Sequence, residues 1–534
     1  MAGRMASFDT DALKIRRLED AFLALALVLL WLWRLGAAPL FDVDEGAFAE
    51  ATREMLASGD WLHTTLQGLD RFDKPILVYW LQGVSMALFG VEAWAARVPS
   101  ALCAFATALV VGRFAAQRYG RQVGWLAAFV LSTCLGFLSI GRAATADSLL
   151  NLLLVLTGLS LWHFVESGNR SALYWASGWA GLGLLAKGPV ALLVPGAAFC
   201  IWSMFHDRGR TIVRALRDPV AWCIVLAVAL PWYAYAIHRH GDAFIQGFFM
   251  KHNVGRFTGP MQGHGGSWAY YLLVWPLLCL PWSVLLVVVL RRSRALWRDP
   301  LSRFLWIWSV FVLVFFSFSG TKLPHYLLYG TVPMVILMAR ALPDLSANTM
   351  RALWVSMMAI CLLFAVLPWL AVRESARISH PLYRQLIATA PSAEYLWWGL
   401  AAAVGLIVLL ARWRHYAPQT RLAGAAYVVA FSVVTWVVPW WAQTLQGPVR
   451  DAALLARQHP GKVVQMQLNL PSFAYYRGDI FSRSEPQAGD WVFLPAHALT
   501  QLKSPWTAQF LSRGLALVRI DPARPAPAPQ APGG

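Results

Sequence analysis

Charge is scarce in this chain: 13% of its 534 residues are Asp, Glu, Lys or Arg, and acids are the rarer sign, 27 against 45 basic residues. A soluble domain carries roughly twice that charged fraction. Apolar side chains take its place, at 58% of the total with 28 Trp and a mean hydropathy of +0.52. No soluble fold could hide so much apolar surface, so the chain reads as a polytopic membrane protein. Cysteine is sparse too. All six (Cys103, Cys134, Cys200, Cys223, Cys279 and Cys361) sit in apolar runs, without metal-ligand or redox spacing, as buried thiols do. Neither a P-loop nor a dinucleotide glycine fingerprint occurs, which argues against chemistry driven by a cytoplasmic nucleotide donor. The net charge of +18 is scattered over short loops between apolar runs, where the positive-inside rule explains it better than nucleic acid does.

Apolar runs of spanning length lie near 20–37, 94–116, 122–140, 148–166, 172–187, 188–205, 220–237, 269–290, 302–318, 324–340, 352–371, 395–411 and 423–441. The expectation is an all-α bundle of about thirteen spans. The first run lacks a small-residue cleavage site and reads as a retained span. Orientation follows from basic clusters: Lys14, Arg16 and Arg17; Arg113, Arg118 and Arg121; Arg208, Arg210, Arg214 and Arg217; Arg291, Arg292, Arg294 and Arg298; Arg412, Arg414 and Arg421. One topology places all of them in the cytoplasm, with the N-terminus inside and everything after the last span outside. It requires PILVYWLQGVSMALFGV (75–91) to lie along the outer surface instead of crossing. Loops 38–93, 141–147, 238–268 and 319–324 then share the external face of a membrane domain covering 1–441. Residues 442–522 change character: a helix-like VRDAALLARQH and strand-like KVVQMQL, DWVFLP and LALVRI predict a small periplasmic α/β domain. The Pro- and Ala-rich tail 523–534 reads as disordered.

The polar residues of those loops carry the chemistry. Asp44-Glu45 follow the first span, where acids serve equally as a helix N-terminus or as catalytic carboxylates. Asp147, in GRAATADS, enters another span on the same face and poses the same choice. Lys74, in DRFDKPIL, is either an interfacial lysine snorkelling to water or a phosphate ligand, with Arg71 and Arg142 as helpers. Arg142 can also simply anchor a helix end. Lys187, before Gly188-Pro189, interrupts two apolar runs, and a lysine there is expected to face a polar cavity. The 238–268 loop sets Lys251, His252, Arg256 and His264 among aromatics, a mixture suited to sugar-phosphate recognition. Its histidines lack HExxH or CxxC spacing, so no metal is expected. In SGTKLPHYLLYG, Lys322, His325, Tyr326 and Tyr329 gather within two turns at a span entry, although membrane interfaces enrich Tyr and Lys anyway.

In order, DEGAFAEATREMLASGDW, FDKPILVYW with LFGVEAWAARVPSAL, GRAATADSLL, LLAKGPVALLVP, RFTGPMQGHGGSWAYYL and SGTKLPHYLL resemble the GT-C membrane glycosyltransferases of the protein O-mannosyltransferase superfamily. The likeness is greatest to the bacterial aminoarabinose (lipid A) transferase branch and covers roughly residues 38–340. The resemblance implies a bacterial inner-membrane enzyme that inverts the anomeric carbon as it moves a sugar from a polyprenyl (undecaprenyl) phosphate to an external acceptor, without cofactor. It assigns catalytic roles to Asp44 and Asp147, with Glu45 in support. Lys74 becomes the phosphate ligand, with Arg71, Tyr79, Arg142, Lys187, Arg256, His264, Lys322, His325 and Tyr326 as substrate-binding residues. Where the branch continues its acidic pair with Arg and Tyr, this chain has Gly46-Ala47-Phe48. The sugar (4-amino-4-deoxy-L-arabinose or another) and the acceptor (lipid A, a protein or another glycan) therefore stay open. A lipid or solute transporter is the rival class. It would show inverted repeats or midplane charges, whereas here polar residues crowd the span ends.

Overall fold

The computed structural model describes residues 18–205, 209–261 and 263–522. Lys14, Arg16, Arg17, Arg208 and the tail 523–534 lie outside the described residues. All the expected spans are helical. They comprise α1 (18–32), α4 (Ala93–Tyr119), the pair α5 (Arg121–Thr133) and α6 (Leu135–Gly141), α7 (Asp147–Ser167), α8 (Arg170–Lys187), α9 (Val190–Ser203) and α11 (Pro219–His240). The rest are Tyr270–Leu278 with Ser283–Arg291, Pro300–Ser317, Pro324–Asp344, Ala347–Arg373, Glu394–Arg412 and Pro418–Leu445. A short α10 (Gly209–Leu216) links α9 to α11. Among the described residues, eight helices are long and apolar enough to cross a membrane, ten if each bent pair is one span. The other members of the expected set, α1, α8 and α9, fall short in length or hydropathy among the described residues.

Two expected spans are not continuous. α5 and α6 bend by 69° at Cys134, and the 270–291 pair bends by 115°. The second break is legible, because the residue before a proline avoids the helical region and Pro281 sits at the turn. The first has no local signal; its reason is tertiary. The N–H of Leu135 donates to the carbonyl of Leu280 at 2.8 Å, and Trp282 Nε1 donates to Thr133 Oγ1 at 2.8 Å. The two breaks face each other and satisfy polar groups that lipid could not.

α3 (Leu77–Phe89) occupies the ambiguous 75–91 stretch with 13 residues. At 1.5 Å per residue it is about 20 Å long, too short for a hydrocarbon core of about 30 Å. α2 (Asp44–Ser58) starts on Asp44 and Glu45, as suits the positive end of a helix dipole, and stops at Gly59, whose φ of 71° is left-handed. Between α2 and α3 lies the hairpin β1 (Thr65–Leu66) and β2 (Leu69–Asp70).

The C-terminal unit is a sheet in the order β3-β4-β6-β5 (Val463–Gln465, Trp491–Pro495, Leu515–Ile520 and Trp506–Ser512), with β3 parallel to β4 and the rest antiparallel. β5, WTAQFLS, is not among the strand-like runs read from the sequence; it is a largely exposed edge strand. The unit docks on α2 through the helix Pro471–Arg477. Ser472 donates its N–H to Asp42 Oδ1 at 2.9 Å and its hydroxyl to Asp42 Oδ2, and Tyr476 Oη accepts from the N–H of Leu40 at 2.8 Å. Gly46 permits this approach. A Cβ there would lie 2.7 Å from the Ser472 nitrogen and 2.2 Å from Asp42 Oδ1, so the glycine is a packing requirement of this chain.

Candidate active site

Stretches far apart in the sequence line one cavity of about 470 Å³. The first loop and α2 contribute Asp42, Asp44, Glu45, Arg71, Asp73 and Lys74. The turn into α7 adds Arg142 and Asp147, the end of α8 adds Lys187, and the segment after α11 and the 3₁₀ turn at Pro324 add Arg256 and His325. The lining also carries apolar side chains, from Leu138, Ile140 and the π-helical segment Val433–Val437 with Val438, Pro439 and Trp441. A lining that mixes charged and apolar side chains suits an amphiphile.

The three acids differ in what they have left to offer. Glu45 is almost fully buried, and Arg97 clamps it with two bonds, Nε to Oε1 at 2.8 Å and Nη2 to Oε2 at 2.7 Å. The N–H groups of Phe41 and Ala144 donate to the same carboxylate at 3.0 and 2.7 Å. Burial alone would raise its pKa, but Arg97 and these bonds hold it below the ordinary value. Arg97 spends its other donors on the carbonyls of Leu35, Ala38 and Pro39. Asp147 is likewise engaged: its Oδ1 accepts from Lys187 Nζ and from Tyr329 Oη, both at 2.5 Å, with His325 Nε2 3.7 Å away. Asp44, exposed on the cavity, takes no hydrogen bond among the described residues. It is the acid left for a substrate.

The cations are crowded. Lys74 Nζ has one hydrogen bond among the described residues, to the carbonyl of Asp73 at 2.9 Å. Desolvation, with Arg256 and Lys187 beside it, pushes its pKa down to about 7. Arg71 donates Nε to Tyr79 Oη at 3.0 Å and lies over the Phe48 ring, which stacks on Tyr79. Asp73 pairs with Arg71 at 3.3 Å and with His252 at 2.8 Å, and these partners hold its carboxyl low despite burial. Arg256 donates to Tyr326 Oη at 3.1 Å, and Lys187 sits 5.1 Å from the Tyr326 ring centre. Arg142 lines the cavity but spends its guanidinium on the carbonyls of Leu30, Trp31 and Trp33, so its helix-anchoring reading holds.

Of the expected site residues, Tyr79 and Tyr326 stand behind the cavity and hold its arginines. Two do not join it. Lys322 donates Nζ to the carbonyls of Ser317 and Ser319, closing the end of helix Pro300–Ser317, and His264 is solvent-exposed. Residues missed from sequence include Asp42, Asp73, Arg97 and the Val433–Trp441 wall. Arg97, a charge within the long apolar α4, carried a readable signal; the wall carried none. No group of three His, Cys, Asp or Glu ligand atoms gathers in the cavity among the described residues.

The family model of dolichyl-phosphate-mannose-protein mannosyltransferases matches residues 73–235. An undecaprenyl phosphate-alpha-4-amino-4-deoxy-L-arabinose arabinosyl transferase from Erwinia tasmaniensis is 31% identical over 400 residues, covering 71% of this chain and 69% of that protein. Its counterpart from Aeromonas salmonicida is 30% identical over 78% of each chain. The crystal structure of ArnT from Cupriavidus metallidurans bound to undecaprenyl phosphate matches with a TM-score of 0.75 over 93% of this chain and 97% of that one, at 20% identity. At that identity the match speaks for a common fold.

Proposed function

Because the chain belongs to the family of the undecaprenyl phosphate-4-amino-4-deoxy-L-arabinose arabinosyl transferases, we propose that it moves this sugar from undecaprenyl phosphate to a phosphate of lipid A. The reaction takes place at the periplasmic face of the inner membrane, with the N-terminus cytoplasmic and the C-terminal unit periplasmic. One observation carries the reading: Lys74, Arg71, Lys187 and Arg256 line the same cavity as the apolar side chains of Val433, Val434, Val437 and Val438. A polyprenyl phosphate has this polarity.

An acceptor oxygen attacks the anomeric carbon while its bond to the carrier phosphate breaks, inverting the centre. The bond's electron pair leaves on the phosphate oxygen, where Lys74 and Arg256 meet the charge as it accumulates. Asp44 orients the acceptor or steadies positive charge developing on the sugar. Against a phosphate acceptor, already deprotonated at neutral pH, it needs no proton-abstracting role. Asp147 keeps Lys187 in place, and Glu45 holds the first loop in shape.

The test is transfer by purified protein in nanodiscs supplied with undecaprenyl-phosphate aminoarabinose, lipid A and membrane extract, read by mass spectrometry. Lipid A gaining one aminopentosyl residue is the expected product; mass gained only by a protein or another glycan would overturn the acceptor assignment.

Lys74 adds a pH signature. With its pKa near 7 in the free protein, the lysine is charged below that pH and neutral above it. A phosphate favours the charged form, so binding of undecaprenyl phosphate takes up a proton at pH 8, and affinity falls as pH rises from 7 to 9. Titration calorimetry in buffers of different ionisation enthalpy reads the uptake; identical heats, once scaled, would remove Lys74 from the phosphate site.

A further inference from the structure

Outside the cavity, three side chains distant in sequence converge. His63 precedes β1, Asp70 closes β2, and His240 is the last residue of α11. We propose that they form a divalent-cation site of zinc type, which clamps the first external loop to the root of the loop delivering Arg256. The hairpin turn at Gln67-Gly68, both at positive φ (56° and 68°), brings His63 and Asp70 together. His63 Nε2 lies 3.0 Å from Asp70 Oδ1, and His240 Nδ1 lies 3.4 Å from Asp70 Oδ2. The three ligand atoms all fall within 4.8 Å of one another.

Tetrahedral zinc with bonds of about 2.0–2.2 Å sets its ligand atoms about 3.4 Å apart. Asp70 turns one oxygen to each imidazole, at 3.0 and 3.4 Å, and the one-atom-per-residue set spans at most 4.8 Å, so side-chain rotation brings the three donors to that spacing. The imidazoles are mostly buried, 12% and 11% exposed, while Asp70 is 52% exposed, so a hydrated cation has an entry on the carboxylate side. Phe72 packs edge-on to the His240 ring at 5.2 Å and sets its plane. The far nitrogen of that ring, Nε2, is buried with no hydrogen-bond partner among the described residues, and the His63 ring packs against it with centroids 4.5 Å apart. Two imidazoles and one carboxylate form a borderline-soft set suited to Zn²⁺ and not to Mg²⁺ or Ca²⁺.

The location gives the site its role. Gly241 follows His240, and the chain then runs through the π-helical segment Ile245–Gly255 to Arg256. Arg239, beside the site, also reaches the first loop through Asp60 at 2.5 Å. A cation bound at this root fixes where the loop starts and so where Arg256 is presented. It takes no part in the transfer step.

The test uses the full chain in detergent. Elemental analysis of protein dialysed against Zn²⁺ should find one zinc per chain that His63→Ala and His240→Ala each reduce at least about ten-fold, while His264→Ala, on the same loop, retains it. Chelated protein reloaded with Co²⁺ should absorb in the visible. Trypsin should cut after Lys251 several-fold faster in the chelated protein than in the zinc-loaded one. The proposal is overturned if wild-type protein reloaded with Co²⁺ stays colourless, if both variants hold zinc as wild type does, or if zinc leaves the cleavage rate unchanged.

Discussion

Asp44→Asn lowers sugar transfer by about 10²-fold or more, while undecaprenyl phosphate binds with nearly unchanged affinity. The magnitude is that of losing one group aimed at charge or nucleophile in the transition state. The split between rate and binding comes from geometry. In the proposed site the carrier phosphate goes to Lys74, Arg71, Lys187 and Arg256, while Asp44 is the cavity carboxylate with no hydrogen bond among the described residues. Removing its charge leaves the neighbouring bonds intact, because Glu45 and Asp147 already hold their own partners. Single-turnover rates and carrier binding, measured on the same preparation, decide the matter. A variant with normal expression and transfer within about two-fold of wild type would sink the catalytic assignment.

Arg97→Met has the largest expected effect on stability, about 3–5 kcal/mol, because it strands Glu45 as a buried, unpaired charge. The cost spreads further, since Arg97 also holds the carbonyls of Leu35, Ala38 and Pro39. The stretch between α1 and α2 would lose its anchor, and Asp44 its position. Apparent melting in detergent should fall by many degrees. The double variant Glu45→Gln/Arg97→Met should fall by less than the two single losses added together, as coupled partners do. Additive losses would mean that the pair does not act as a unit.

Hydropathy and the order of motifs made much of this legible. The helices follow apolar runs whose length the bilayer demands, and α3 is as short as its non-spanning reading needed. Asp44, Lys74, Asp147, Lys187, Arg256 and His325 do face one cavity, because charges at span ends turn toward whatever polar space exists. Lys322 shows where that logic stops. It stands in the same motif as His325, but the open carbonyls at the end of a helix lie closer than the cavity does. A motif records proximity along the chain and says nothing of which way a side chain turns. The break at Cys134 was hidden for a related reason: the groups it meets, the carbonyls of Cys279 and Leu280, lie in a different helix pair, Cys279 being 145 residues further along the chain.

The crowded cations at Lys74 have a kinetic consequence. A sugar-bearing carrier is a phosphodiester with a single negative charge, whereas the spent carrier is a monoester approaching two at neutral pH. If Lys74, Arg71, Lys187 and Arg256 hold the carrier phosphate as proposed, they grip the product more firmly than the substrate. Chemistry is drawn forward by that difference, and departure of the emptied lipid becomes the slow event, visible as a burst in the first turnover. Steady output then follows how fast the surrounding membrane carries spent carrier away.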